Sequence, residues 1–310
     1  MSEAVLNRAA EAQIPPPGAL FLDHLAHWVP DRAAAEARLR QLGFTPTPFS
    51  EQFLPGPDGV RQSAGTGNHC LMLGEGYIEV LATLADTANA ATLRRGMARY
   101  VGLHLIAFGC RDAEAQAARL SRVGFAPLPT VHLSREVDTV DGPATARFSV
   151  CRLAPAAMAE GRVQLVAHHT PEAIWQPRHL VHANGAEALT DVLVAVDSLS
   201  EASGRYARFL GRAPVPRRDG AVEFALERGR LIFGEPAHLA AWLPGMSLPA
   251  LPFIAGYGIR VDDLRRTRAA LREGGVAFRE PLPGVVLADG GPALGGTIAF
   301  RQRERAPRRG

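Results

Sequence analysis

The chain contains no lysine; all 34 basic residues among its 310 are arginine. Imine chemistry through a lysine amine, and covalent attachment of pyridoxal phosphate, are therefore excluded. Cysteine is nearly as scarce. Cys70, Cys110 and Cys151 lie far apart with no CxxC pair, which is not a disulfide framework and fits a reducing compartment. No GxSxG elbow occurs, and no glycine-rich stretch has the spacing of a phosphate loop, so serine-nucleophile and nucleotide chemistry find no support. No apolar run reaches the ~18 residues of a membrane span. The start of the chain lacks a basic region followed by an apolar core, so a cytoplasmic protein without a signal peptide or membrane contact is expected.

What is present is enough apolar sequence, 47% of residues, to bury a core without disulfide or metal staples. The net charge is +3. Part of the basic excess sits in the arginine-rich end, where residues 304–310 read as a solvated tail and not as a nucleic-acid site. Pro15-Pro16-Pro17 marks a frayed beginning, and residues 1–18 are expected to be disordered.

The main signal is an internal repeat. Leu22 to Val29 reads as a strand; Pro30-Asp31 then opens a helix that ends at Leu42, and Gly43-Phe44 follows. The same order recurs from Val101, with a helix from Asp112 to Val123 before Gly124-Phe125, and from Thr190, with a helix closing at Gly211. A weaker copy starts at Tyr257. Ala33, Ala37, Leu39 and Leu42 mark the expected buried face of the first helix, and Ala115, Ala118, Leu120 and Val123 that of the second. Each helix is followed by a loop and two strand-like runs, such as Asn68 to Leu73 and Tyr77 to Ala82. Gly65-Thr66-Gly67 is too glycine-rich for a regular strand and reads as a loop. The fold class is α+β, with four tandem βαβββ modules.

The segments LDHLAHWVPD, GTGNHCLML, GYIEVL, VGLHLIAFGCRD and AHHTPEAIWQPRHLVHANGA resemble the vicinal-oxygen-chelate superfamily, and more closely its glyoxalase-like branch. The resemblance covers roughly residues 20 to 303. It implies that modules pair into two open, U-shaped β-barrels. The first domain would span residues 19–170 and the second residues 188–303, with a linker at 171–187 between them. It also implies that ligands for a divalent metal (Fe, Mn, Ni or Zn) come from the first and last strands of paired modules. On this sequence those positions are His24, Glu79, His104 and Gln164 in the first domain. In the second domain Asp191 stands beside Ile232 and Ala299, a set that cannot hold a metal.

Two imidazoles and a carboxylate form the recurring set for an open-sided centre, so His24, Glu79 and His104 are the expected ligands. A single strand histidine is otherwise a packing residue. Gln164 and Asn68 are candidates for substrate contact. His168, on the same strand face as Gln164, and His69 are the candidate proton-transfer residues. Arg178 is available for an anionic substrate group, unless its segment is simply strapped down by Trp175. The resemblance implies a metalloenzyme that chelates a small oxygen-rich metabolite, with lyase or isomerase chemistry ahead of a dioxygenase reaction. The rival is a metal-free binding protein like the bleomycin-resistance members. The expected partner is a small molecule, with a homodimer open.

Overall fold

Four helices begin because a short polar side chain caps them. Asp31, Asp112, Ser198 and Asp263 each accept a hydrogen bond from a backbone amide of the following turn, which satisfies donors that a helix start leaves open. The caps fix where each repeat turns from strand to helix. The computed structural model describes residues 10–55, 60–243 and 246–302; the first nine residues and the basic tail at 304–310 lie outside them.

Along the chain, strand, helix and three strands recur. The first set is β1 (Phe21–Val29), α1 (Arg32–Gln41), β2 (Ser50–Pro55), β3 (Arg61–Met72) and β4 (Tyr77–Thr83). A connecting helix, α2 (Ala88–Met97), precedes β5 (Gly102–Gly109), α3 (Ala113–Arg122), β6 (Val131–Thr139), β7 (Gly142–Arg152) and β8 (Arg162–His168). After the short α4 (Pro171–Ile174) come β9 (Ala186–Ala195), α5 (Leu199–Leu210), β10 (Val215–Pro216), β11 (Val222–Ala225) and β12 (Arg230–Gly234). The last set follows α6 (Pro236–Trp242): β13 (Phe253–Val261), α7 (Leu264–Glu273), β14 (Phe278–Leu282), β15 (Val285–Asp289), α8 (Gly291–Leu294) and β16 (Thr297–Gln302).

The strands form an open sheet in which β1 pairs antiparallel with β5, and β9 with β13. Each of these inner strands also pairs in parallel with the last strand of its own set, as β1 does with β4 and β5 with β8. The two halves meet through the β13–β5 pair of Ile254 with Leu103, through the bridges Phe21–Arg228 and Glu75–Ala188, and through a shared apolar core to which all four sets contribute. Polar ties cross the same boundary. Arg205 on α5 grips the fully buried Glu160 with two hydrogen bonds of 2.7 and 2.8 Å. His27 on β1 donates from Nδ1 to the Leu294 carbonyl at 2.8 Å and lies 3.3 Å from the Tyr257 hydroxyl.

Three local expectations are corrected. The buried helix face runs through Ala35 and Leu39 in α1 and Ala113 and Leu120 in α3, while Ala33, Ala37, Ala115 and Ala118 are exposed. The leucines set the phase, and alanine marks neither face. Gly65-Thr66-Gly67 lies inside β3; a Cβ on Gly67 would come within 2.3 Å of the Phe49 ring, so the missing side chain makes room for an aromatic. Within residues 10–18, Ala10, Gln13 and Pro15 are buried, and the Gln13 amide donates to the Gly74 carbonyl at 2.8 Å.

Among the described residues no helix is long and apolar enough to cross a membrane. Burial pushes the His27 imidazole down to about 4, against the pull of the Leu294 carbonyl. The folded value lies below the unfolded one, so the unfolded chain takes up the proton first. The stability His27 contributes is complete above pH 6.5 and is lost as pH falls toward 4. His27→Gln should therefore flatten the fall in melting temperature across that window, removing on the order of 3 kcal/mol of its pH dependence. Parallel wild-type and variant profiles would show that His27 is not buried neutral.

Candidate functional site

Side chains alternate along a strand, and in the first half one set of them converges. Arg162, Gln164, Val166 and His168 of β8, Phe148, Val150 and Arg152 of β7, Tyr77, Glu79 and Leu81 of β4, and Asn68, Cys70 and Met72 of β3 line one cavity of about 170 Å³. Residues of both sheet edges, Gln52 to Leu54 on the β2 side and Leu133 to Arg135 on β6, line the same cavity, so the sheet curls into a cup. His24 and Leu105 supply its floor.

Strand register arranges these groups in rows. Tyr77, His24, Ala107, Gln164 and Arg152 are consecutive cross-strand partners. The neighbouring row is Cys70, Glu79, Ala26, Leu105 and Arg162. His24, Glu79 and Gln164 thus share the cup, as expected from the repeat.

His104 does not join them. The β1–β5 ladder pairs His27 with Leu103 and Ala26 with Leu105, so His104 is the extra residue of a bulge and Leu105 takes the inward position. Asp23 is the matching extra residue on β1, between Leu22 paired with Phe108 and His24 paired with Ala107. Two turn glycines confirm the equivalence: a Cβ on Gly76 would lie 2.6 Å from the Asp23 carbonyl, and one on Gly161 would lie 2.4 Å from the His104 carbonyl. The counterpart of His104 is Asp23, one residue off the sequence alignment. His104 is stacked between Trp28 and Tyr100, with ring centres 4.9 and 4.1 Å away, and donates to the Tyr100 carbonyl at 2.8 Å. Burial pushes its pKa down to about 4, so it is a neutral packing residue. Among the described residues no three His, Cys, Asp or Glu side chains form a group that could hold a metal. The expected centre of two histidines and one glutamate does not fit this donor set.

What the bulge builds instead is an Asp-His cluster. Asp23 is fully buried, and its Oδ1 lies 2.7 Å from His24 Nδ1 and 3.2 Å from His168 Nε2. Burial would raise its pKa, but the two imidazoles override that and hold the carboxyl well below the usual carboxylate range. An ionised carboxylate only accepts, so both imidazoles donate to it. In the neutral rings the free nitrogens are then His24 Nε2 and His168 Nδ1, and the latter is buried without a hydrogen-bond partner. His24 also stacks on Tyr77, with ring centres 4.3 Å apart, and Trp175 meets His168 edge-on at 4.9 Å. Both imidazoles are therefore fixed in place.

Glu79 is held through Oε1 by the amides of Asn68 and Gln52, the latter at 3.2 Å. Asn68 keeps an unpartnered Oδ1, and Gln164 an unpartnered Oε1. His69 faces away from the cavity, because its neighbours Asn68 and Cys70 face in; its Nδ1 donates to the Thr47 carbonyl at 2.7 Å. Arg178 donates to the Asp138 carbonyl and is not among the cavity's lining residues. Trp175 is buried as the strap of this segment. The Cys70 thiol is raised to about 12 by burial first and then by Glu79, so it is no nucleophile.

Sequence reading missed Asp23 and the arginines Arg135, Arg152 and Arg162. Their signal was available: Arg152 and Arg162 interrupt apolar strand runs in SVCRL and RVQLVA. In the second half, the position matching His24 is Asp191, and it is consumed. Arg230 and Arg301 both pair with it, and Thr190 donates to it at 2.9 Å. An apolar cluster with Leu193, Ala299, Leu239 and Leu243 fills the neighbouring space.

His104→Phe keeps the ring stack and removes one buried hydrogen bond. It should lower stability by about 1 kcal/mol and leave the binding of any cavity ligand unchanged in titration calorimetry. Loss of ligand or of a bound metal in this variant would restore His104 to the site.

A profile of the glyoxalase-like domain matches residues 22–210. No curated protein sequence matches the chain. Among solved structures, a hypothetical protein from Staphylococcus aureus superposes with a TM-score of 0.62 at 11% identity, covering 92% of this chain and 100% of that one. A triple-substitution variant of 4-hydroxymandelate synthase from Streptomyces coelicolor gives 0.55 at 18% identity, covering 93% and 94%. A xylose isomerase-like TIM barrel/4-hydroxyphenylpyruvate dioxygenase fusion protein gives 0.53 at 15% identity, covering 95% of this chain and 51% of that one. At such identities the structures speak for the fold, while the matched profile spans more than half of the chain: it belongs to the glyoxalase-like domain family of the vicinal-oxygen-chelate superfamily.

Proposed function

We propose that the first-half cavity binds a small oxygen-rich metabolite and that His24, oriented by Asp23, moves a proton on it in isomerase- or lyase-type chemistry. The observation that carries this reading is the buried Asp23 carboxylate bridging His24 and His168 at the cavity wall. A carboxylate behind an imidazole fixes its tautomer and raises the basicity of the far nitrogen. His24 Nε2 is then the base that takes a proton from carbon next to a carbonyl. The C–H electron pair becomes a C=C bond as the carbonyl π pair moves to oxygen, giving an enolate. In an α-hydroxy carbonyl the hydroxyl proton then passes to that oxygen and the hydroxyl-bearing carbon becomes the new carbonyl. Return of the proton from His24 to the former carbonyl carbon completes an isomerisation. In a β-substituted acid the enolate re-forms the carbonyl as the C=C pair expels the β-substituent with its bonding pair, which completes a lyase reaction. His168 Nδ1 is placed as a second proton acceptor, and Gln164 between His24 and Arg152 orients the substrate. Burial and the close aromatic packing of both imidazoles keep water from their carboxylate side. No step is routed through a metal, because among the described residues no three His, Cys, Asp or Glu side chains form a group that could hold one, and the Glu79 carboxylate is already held by two amides.

The test is deuterium incorporation from D₂O, followed by NMR, into a panel of small 2-oxo acids, 2-hydroxy acids and hydroxyaldehydes, with EDTA present. Wild type should exchange the proton next to the carbonyl of at least one compound. His24→Gln should reduce the rate by roughly 10²- to 10⁴-fold, and Asp23→Asn should reduce it by at least about tenfold through the wrong tautomer. Binding without exchange would mark a sequestering protein instead. Exchange or oxygen uptake that appears only when Fe, Mn, Ni or Zn is added would reinstate a metal-dependent reaction, the dioxygenase included.

A further inference from the structure

Half-buried arginines elsewhere in this protein either pair with carboxylates or, like Arg38, Arg119 and Arg228, donate to backbone carbonyls and amide oxygens. Arg205 holds Glu160 and Glu201, and Arg230 and Arg301 share Asp191. The cup of the first half breaks that pattern. Arg152 and Arg162 are half-buried, and neither forms an ion pair among the described residues. Arg152 Nε is buried with no hydrogen-bond partner. Arg162 reaches only the Asn89 amide oxygen at 3.3 Å and the face of Trp28, with its guanidinium carbon 5.6 Å from the ring centre. Desolvation pulls both guanidinium pKa values down, that of Arg162 to about 10. A desolvated, unpaired charge is unfavourable unless an anion completes it.

The carboxylates at hand are engaged. Glu51 accepts from Ser63 at 2.5 Å. Glu79 accepts from Asn68 and Gln52 and makes no ion pair with Arg162, although it is near enough to act on it electrostatically. In the second half the chain supplies the missing anion itself, as Asp191 between two arginines.

Resting on the reading of this cavity as the small-molecule site, we infer that Arg152 and Arg162 form a seat for an oxyanion of the substrate, a carboxylate or a phosphate. The guanidinium fork matches either group through paired N–H donors. Register then sets the pose. Arg152 shares a row with Gln164 and His24, and Arg162 stands in the next row. A substrate anchored by its anionic end on the arginines extends across Gln164 and presents its reactive carbon to His24 Nε2. The substrate class is a short acid whose labile C–H lies a few bonds from the charged group.

The test is titration calorimetry and thermal denaturation of the full chain in EDTA-containing, low-salt buffer. The probes are malonate, inorganic phosphate and the neutral analogue malonamide. Malonate or phosphate should bind and raise the melting temperature, malonamide should not, and whichever anion binds more tightly identifies the headgroup. Arg152→Gln and Arg162→Gln should each weaken anion binding by about tenfold to a hundredfold, and Arg152→Lys should fall between. In anion-free buffer Arg152→Gln should be at least as stable as wild type, since it removes an unpaired charge. Equal binding by wild type and both Gln variants, equal binding of malonamide, binding abolished by EDTA, or a marked loss of stability in Arg152→Gln would each overturn the seat. Anion binding without any deuterium exchange sinks only the proton-transfer reading; exchange with no anion binding sinks only this one.

Discussion

The first half of the molecule depends on the antiparallel seam between β1 and β5, and on the two bulges in it. A ladder without them would give each residue of the two strands one partner and alternate every side chain from face to face. One extra residue on each strand breaks the alternation once per strand. On β1 the break tucks Asp23 into the interior and leaves His24 facing the cup; on β5 it leaves His104 between aromatic rings and turns Leu105 inward. The seam of the second half carries the same irregularity at Thr190 and Ala255, and a third at Glu187.

From that constraint the chemistry of the cup follows. A carboxylate buried between two imidazoles is stable only if it stays ionised and both rings donate to it, which sets the tautomer of each ring when neutral. The same wall carries arginines that the chain leaves without carboxylates. The contrast with Asp191 is physical: where the anion is built in, the cup is closed by ion pairs and apolar packing, and where it is missing, a cavity remains. Duplication thus gave one fold two cups, one neutralised from within and one open to a ligand.

The halves share more than strand pairing. Glu160 with Arg205, His27 with Leu294 and Tyr257, and the continuous core bind them along a broad front. The segment after β8 fastens this arrangement. His182 accepts from the Thr45 amide at 3.1 Å and donates to the Met72 carbonyl at 2.8 Å, and Asn184 donates to the Leu42 carbonyl. A stretch read as a linker is therefore part of the scaffold that holds β3 and β4 against the cup.

The repeat, the strand–helix–strand order and the helix starts at Asp31 and Asp112 were legible in the sequence, because caps, glycine turns and apolar runs are local signals. The shared face of Gln164 and His168 was legible for the same reason, being a matter of counting by two along one strand. Helix phase was less so, since alanine is compatible with either face of α1 and α3. The placement of His104, Asp23 and His69 was decided by tertiary structure alone. A bulge leaves no mark in the residues that form it, and aligning two histidines by their distance from a glycine cannot see a one-residue register shift. The pairing of charges was equally invisible, because Asp191 meets Arg301 across 110 positions of chain. The sequence by itself determined the modules and which strands carry polar groups; only folding decided which of those groups face one another, since that depends on register between strands distant in the chain.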